Sequence, residues 1–118
     1  MGMDFNNTQA IYLQIVDWTF EQILIGNLKP GDKAKSVREL AVAFEVNPNT
    51  VMRSYEHLQS NEIFLNKRGI GFFVTDDAVE KIKTLRKKKF MEEDVPSFLK
   101  NMKLLGIDIN EIINLYNK

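Results

Sequence analysis

The chain has no cysteine and a single histidine, His57. The first absence removes disulfide frameworks, thiolate metal sites and cysteine nucleophiles. The second leaves no partners for a serine–histidine–aspartate set and no histidine cluster for a metal, so His57 reads as a solvated side chain or one near a phosphate. No glycine-rich phosphate cradle follows a strand, and the adjacent carboxylates Glu92 and Glu93 point to diverging sides of a helix. Neither enzymatic chemistry nor a cofactor is expected. No stretch approaches the roughly 20 apolar residues needed to cross a bilayer, and no cationic segment leads into an apolar run at the N-terminus. The expectation is a cytoplasmic protein with no membrane partner. Net charge is also lacking, because 16 basic residues balance 16 acidic ones, which argues against binding nucleic acid by bulk positive charge. A length of 118 residues holds one modest core and an appendage, with no room for a second catalytic domain.

The charge that is present is unevenly placed. Residues 1–28 carry three acids and no base, whereas residues 29–75 carry seven bases and five acids, net +2. Any nucleic-acid surface must therefore be local. Within this segment Ser36 is an N-cap ahead of Val37-Arg38-Glu39-Leu40-Ala41-Val42-Ala43-Phe44, and Glu39 completes a capping-box pattern. Pro48 cannot donate to a helical ladder and pushes Asn47 toward extended angles, which breaks that helix. Asn49 then reads as the cap of a second helix, Thr50 to about Ser60, in which Val51, Tyr55 and Leu58 share one buried face. The opposite face gathers Asn49, Thr50 and Arg53, short polar groups followed one turn later by a long cation. The first turns of a recognition helix enter the major groove and meet base edges and phosphates, so this pattern predicts a DNA-reading helix-turn-helix.

The flanking segments extend that reading. From about Gln9 to Ile25, Ile11, Ile15, Val16, Ile23 and Leu24 recur at near-helical intervals, with Tyr12, Trp18 and Phe20 as core or dimer contacts and Gly26 as a left-handed stop. Leu28-Lys29-Pro30-Gly31-Asp32 is a turn. Ile63 to Lys67 and Phe72 to Thr75 are β-prone runs around Arg68-Gly69-Ile70-Gly71, a hairpin whose tip glycines permit positive φ. Lys67 and Arg68 place cations there, suited to phosphate or a minor groove. The expected fold is mainly α with a small β-hairpin: a winged helix-turn-helix over residues 1–75.

Residues 76–118 read as a helical dimerisation tail. Val79, Ile82 and Leu85, then Phe98, Met102 and Leu105, then Ile109, Ile112, Ile113 and Tyr116 form three apolar stripes that short isolated helices cannot bury alone. Packing on a second copy would cover them, with Ile82, Leu85, Phe98, Met102, Ile109 and Ile113 as the interface. Pro96 is expected to split the helix with Asp94 capping a new segment, and Gly106 with Asp108 marks a stop and restart. The run Arg86 to Lys89, followed by Glu92, Glu93 and Asp94, reads as a solvated or intersubunit salt-bridged face.

In order, the chain carries Ile-Tyr-Leu-Gln-Ile, Leu-Lys-Pro-Gly-Asp, Ser-Val-Arg-Glu-Leu-Ala, Val-Asn-Pro-Asn-Thr-Val, Arg53-Ser54-Tyr55 with Leu58, and Arg-Gly-Ile-Gly-Phe-Phe-Val. From Ile11 to Val74 it resembles the GntR family of bacterial transcriptional regulators, and its short tail resembles the YtrA subfamily. The resemblance implies DNA contacts at Ser36 and Arg38, at Asn49, Thr50 and Arg53, and at Gly69, with Gly71 beside it. It further implies repression, and with the tail's apolar stripes the expectation is a homodimer on a palindromic double-stranded operator. Larger members carry a ligand-binding or aminotransferase-like domain for which this tail is too short, and the sequence does not determine whether a small-molecule effector exists. Ala34-Lys35 replaces the family's usual Leu-Pro, and Lys35 adds a possible phosphate contact. Glu45 and Glu62 stand at common glycine positions, where positive φ costs a glutamate of order 1 kcal/mol, with Asn61 as an alternative left-handed residue near the second. Phe72 replaces a threonine and is expected to stiffen the wing by packing. The competing function is a winged helix used for protein–protein assembly through its basic face.

Overall fold

Helix α1 spans Ile11–Leu24, α2 Val37–Phe44 and α3 Pro48–Ser60, followed by strands β1, Phe64–Lys67, and β2, Gly71–Val74. These come from a computed structural model that describes residues 4–118. The described chain falls into two compact units, one ending at Lys83 and the other running Thr84–Lys118. In the first, α1 and α2 both pack on α3. Ile15, Val16, Phe20 and Ile23 of α1 meet Leu40, Ala41 and Phe44 of α2 and Val51, Tyr55 and Leu58 of α3 in one buried cluster. Trp18 stands edge-on to Phe44 at 4.8 Å. A buried hydroxyl also ties the helices, since Ser54 Oγ donates to the Tyr12 carbonyl at 2.8 Å.

The capping box at α2 forms as its residues dictate: the Ser36 N–H donates to Glu39 Oε1 at 3.0 Å, and the Glu39 N–H donates to Ser36 Oγ at 3.1 Å. The start of α3 differs from the sequence reading. Its cap is Asn47, whose Oδ1 accepts from the Asn49 N–H at 2.8 Å, and Pro48 is the first helical residue. Proline at that position loses no hydrogen bond and has its φ preset for the helix, so the residue read as a breaker is a starter.

Both α2 and α3 end in a glutamate with left-handed backbone, Glu45 at φ 56° and Glu62 at φ 60°. Asn61 keeps a negative φ of −90° and does not take the left-handed position. At each site the following residue closes the helix end: the Val46 N–H donates to the Ala41 carbonyl at 3.0 Å and the Ile63 N–H to the Leu58 carbonyl at 2.9 Å. Ile63 is fully buried and Val46 packs against the core, so burial of the next side chain holds each glutamate in a conformation it disfavours. Glycine at Glu45 relieves about 1–2 kcal/mol of left-handed cost and adds about 0.4–1 kcal/mol of unfolded-state entropy. Glu45→Gly should therefore stabilise the chain by roughly 0.5–1 kcal/mol, read from urea midpoints. Glu62→Gly should gain less, because Glu62 accepts from Lys81 Nζ at 2.7 Å. Asp77 lies 3.3 Å from the same ammonium. These carboxylates hold the Lys81 pKa above its ordinary value, Glu62 first.

Strands β1 and β2 pair antiparallel with Phe64 opposite Val74 and Lys67 opposite Gly71. On the far side of β2 the turn after α1 adds a partner that sequence periodicity did not reveal. Lys33 bridges Phe73, the Ala34 N–H donates to the Phe72 carbonyl at 2.9 Å, and the Val74 N–H donates to the Asp32 carbonyl at 2.9 Å. Phe72 packs as expected, 5.0 Å from Tyr55 and 6.1 Å from Phe64 between ring centres.

Helix α4 covers Ala78–Lys89, and its opening turns belong to the first unit because Ala78 and Ile82 lie in the core, both at 0% exposure. That corrects the expectation for Ile82: it is buried inside its own chain and unavailable to a partner. In the second unit a π-helical turn, Phe90–Asp94, runs into α5, Val95–Leu105. The ring of Pro96 obstructs the carbonyl four residues back, and the wider turn makes room without ending the helix. Asp94 accordingly has helical angles and makes no side-chain cap, contrary to the sequence reading. Gly106 closes α5 at φ 69°, and Asp108 with Glu111 forms a second capping box on α6, Ile109–Tyr116. Met102, expected at a subunit interface, is buried within the single chain at 6% exposure. Leu85, Phe98, Ile109 and Ile113 are exposed, along with Leu104 and Leu105.

Candidate nucleic-acid interface

Three groups of side chains expected to meet DNA lie on the first unit. Lys35, Ser36 and Arg38 are exposed at the start of α2. Asn49 and Arg53 are exposed and Thr50 half-buried in the first turns of α3. Lys67, Arg68 and Gly69 are exposed at the wing tip.

The structure adds how these groups are held. Tyr55, fully inside the core, donates its hydroxyl to the Lys35 carbonyl at 2.7 Å. This bond ties the approach to α2 to the middle of α3. Burial, and secondarily the charge of Glu39, pushes the Tyr55 phenol far above its ordinary value. The Arg53 guanidinium stacks on the Tyr12 ring of α1, 3.8 Å from its centre. Such a contact over the ring gains about 0.5–1 kcal/mol for an exposed pair and leaves the in-plane N–H donors available to a ligand. Lys67 Nζ likewise sits 4.3 Å over Phe73. Long cations that would otherwise sample many rotamers are thereby partly ordered before any ligand arrives.

The wing glycines differ from one another. Gly69, at φ 78°, is at the open tip with nothing near the position of a Cβ. Gly71, at φ 140°, is half-buried, and a Cβ there would come 2.9 Å from Lys33 Cε. Gly71 admits the Lys33 stem, and Gly69 supplies the left-handed tip. His57 is half-buried, its ring centre 6.2 Å from Tyr12 and its Nδ1 3.3 Å from Asn61 Nδ2. Among the described residues no group of three or more His, Cys, Asp or Glu side chains could hold a metal ion.

Sequence reasoning passed over Met52, which is 39% exposed on α3 beside Asn49 and Arg53. A methionine inside an amphipathic helix reads as core; here it offers an apolar group able to meet a thymine methyl. Lys33 was also missed, since only its β-bridge to Phe73 places it against the wing.

The capping box at the interface is acid-sensitive. The Ser36 main-chain N–H, then the Ser36 side chain, holds the Glu39 carboxyl below its ordinary value of 4.5. Because the folded value is the lower one, the contribution is complete above the ordinary value and is lost as pH falls through the folded value. Glu39→Gln keeps the hydrogen bonds but not the titration, so its urea midpoint should fall less steeply on acidification than that of the parent.

A capped helix, a proline-started second helix with an exposed polar N-terminal face, and a two-stranded wing carrying cations define a winged helix-turn-helix regulator. The chain belongs to the GntR family of bacterial regulatory proteins, whose sequence model matches residues 10–74. It is 38% identical over 113 residues, 96% of this chain and 92% of the relative, to the HTH-type transcriptional regulator YhcF of Bacillus subtilis (strain 168). It is 41% identical over 76 residues to the HTH-type transcriptional repressor YtrA of the same organism, covering 64% of this chain and 58% of that one. A solved GntR-family transcriptional regulator from Bacteroides thetaiotaomicron shares 51% identity and superposes with a TM-score of 0.79 over 92% of this chain and 94% of that one. The family and these relatives are transcriptional regulators rather than enzymes. Among the described residues no helix is long and apolar enough to cross a membrane.

Proposed function

We propose that this GntR-family regulator is a repressor that binds a palindromic operator as a homodimer, using residues up to Lys83 to read DNA and the segment from Thr84 to pair subunits. The observation that carries the DNA reading is the exposed N-terminal face of α3, where Asn49, Met52 and Arg53 surround the helix start. In this reading Arg38, Asn49, Thr50 and Arg53 meet bases or phosphates, Lys35 and Ser36 meet phosphate at α2, and Lys67, Arg68 and Gly69 place the wing. Gly71 acts by admitting Lys33. The repressor assignment draws on the name of YtrA.

The dimer draws on the exposed apolar side chains Leu85, Phe98, Ile109 and Ile113 of the second unit. A two-fold axis through that unit would set two recognition helices in successive major grooves, about 34 Å apart. Selection of bound sites from random DNA, followed by affinity measured against salt, tests the whole reading. The expected result is an inverted repeat bound with log affinity falling linearly in log salt. Recovery of no preferred sequence, with salt-independent retention of a protein partner instead, would favour the assembly module.

A further inference from the structure

On α3 the apolar residues Val51, Tyr55 and Leu58 are buried, yet Met52 is 39% exposed. It stands in a stripe of exposed side chains at helical spacing, with Asn49 one turn before it, Arg53 beside it and Glu56 one turn after. Asparagine and arginine meet phosphate as readily as bases, whereas methionine and glutamate do not. A methionine has no donor and only a weak acceptor sulfur, and a carboxylate is repelled by the anionic backbone. A stripe that carries both suits the floor of the major groove better than its phosphate walls. On that floor a glutamate can accept from a cytosine N4 amino group, and the apolar feature open to a methionine is the thymine 5-methyl group. The unbranched, polarizable Met52 side chain can adapt to so small a target.

We infer that Met52 is a specificity-determining residue that recognises a thymine in each operator half-site by its 5-methyl group. This rests on the DNA reading above and deepens it. Spacing restricts where the thymine lies. From Asn49 to Arg53 the helix advances about 6 Å at 1.5 Å per residue, against about 3.4 Å for each base pair along the duplex. The thymine therefore falls within about two base pairs of the bases nearest Asn49 and Arg53. Thr50 is the rival for this contact, because a threonine methyl can meet the same group; Thr50 is half-buried and Met52 exposed.

The operator obtained by selection from random DNA is remade with 2′-deoxyuridine at each thymine in turn, which removes the 5-methyl group and keeps the base pairing. At one thymine of a half-site the exchange should weaken binding of the full-length chain about fourfold, the worth of one buried methyl. Cytosine at that position should also weaken binding, and 5-methylcytosine should recover about fourfold of the loss. In Met52→Ala and in Met52→Gln the thymine and uracil duplexes should bind alike. Met52→Leu keeps an apolar group and should keep a preference of about twofold or more. Circular-dichroism melts check that the variants fold, and the uracil series on the parent decides the methyl dependence without any variant. A half-site without thymine in that span, uracil tolerated at every thymine, or 5-methylcytosine no better than cytosine overturns the inference. So does a uracil penalty of the same size in Met52→Ala, which would give the methyl to Thr50. Selection that recovers no preferred sequence defeats the DNA reading and this inference with it, whereas a selected operator bound without methyl dependence defeats this inference alone.

Discussion

Replacing Phe98 and Ile113 together by glutamate should convert the protein into monomers and lower its affinity for a full palindrome by about 10²-fold or more, while leaving single half-site affinity unchanged. Both side chains are about half-exposed, at 49% and 46%, so the exchange leaves no cavity in the chain. It places like charges where two copies would meet. The loss comes from geometry: with two heads joined, the second half-site is bound at a high effective concentration, and unjoined heads bind independently. Sedimentation of the parent and the variant at micromolar concentration, with binding to full and half operators, checks it. A parent that sediments as a monomer, or a variant that keeps full-site affinity, overturns the dimer. The cut suited to a test by truncation lies after Lys83. A chain ending at Thr75 would lose the fully buried Ala78 and Ile82 and could fail for want of a core.

Arg38→Ala with Arg53→Ala should cost operator binding roughly 1–3 kcal/mol for each arginine, from about 30-fold to about 10⁴-fold together, with little change in thermal stability. Arg38 is exposed in the first turn of α2. Arg53 is the more informative of the two because it stacks on Tyr12. If the stack serves to aim the guanidinium, Tyr12→Leu should lose part of the same affinity while keeping the packing of α1. Filter binding over a salt series separates the roles, since a phosphate contact lowers the salt slope by about one and a base contact relaxes sequence preference. Parental affinity in the double variant would remove both arginines from the interface.

Much of the fold around the candidate site was legible because its signals are local. Ser36 with Glu39 and Asp108 with Glu111 mark helix starts within four residues, and Gly26 and Gly106 mark helix stops by backbone freedom alone. The start of α3 was misread by two positions, at Asn49 instead of Asn47, because a proline that breaks one helix also begins the next. Glu45 and Glu62 carry no turn signal of their own. Their left-handed backbone follows from burying Val46 and Ile63, which no propensity at the glutamates encodes.

By itself the sequence determined the order of elements, the amphipathic faces of α1 and α3, the hairpin with its cationic tip and the family to which they belong. The reason is that each depends on residues within a turn or two of one another. Only the tertiary structure decided which apolar side chains are left for a partner. Ile82 and Met102 have the same stripe spacing as Leu85 and Phe98, yet the first two are buried in one chain and the others exposed. It also decided how the interface is held. Tyr55 reaches Lys35 across 20 positions, Ser54 reaches Tyr12 across 42, and Lys33 lies against Gly71. Periodicity records that a face is apolar or a residue charged. What covers that face or anchors that charge is set by segments distant in the chain, and it appears only when they pack.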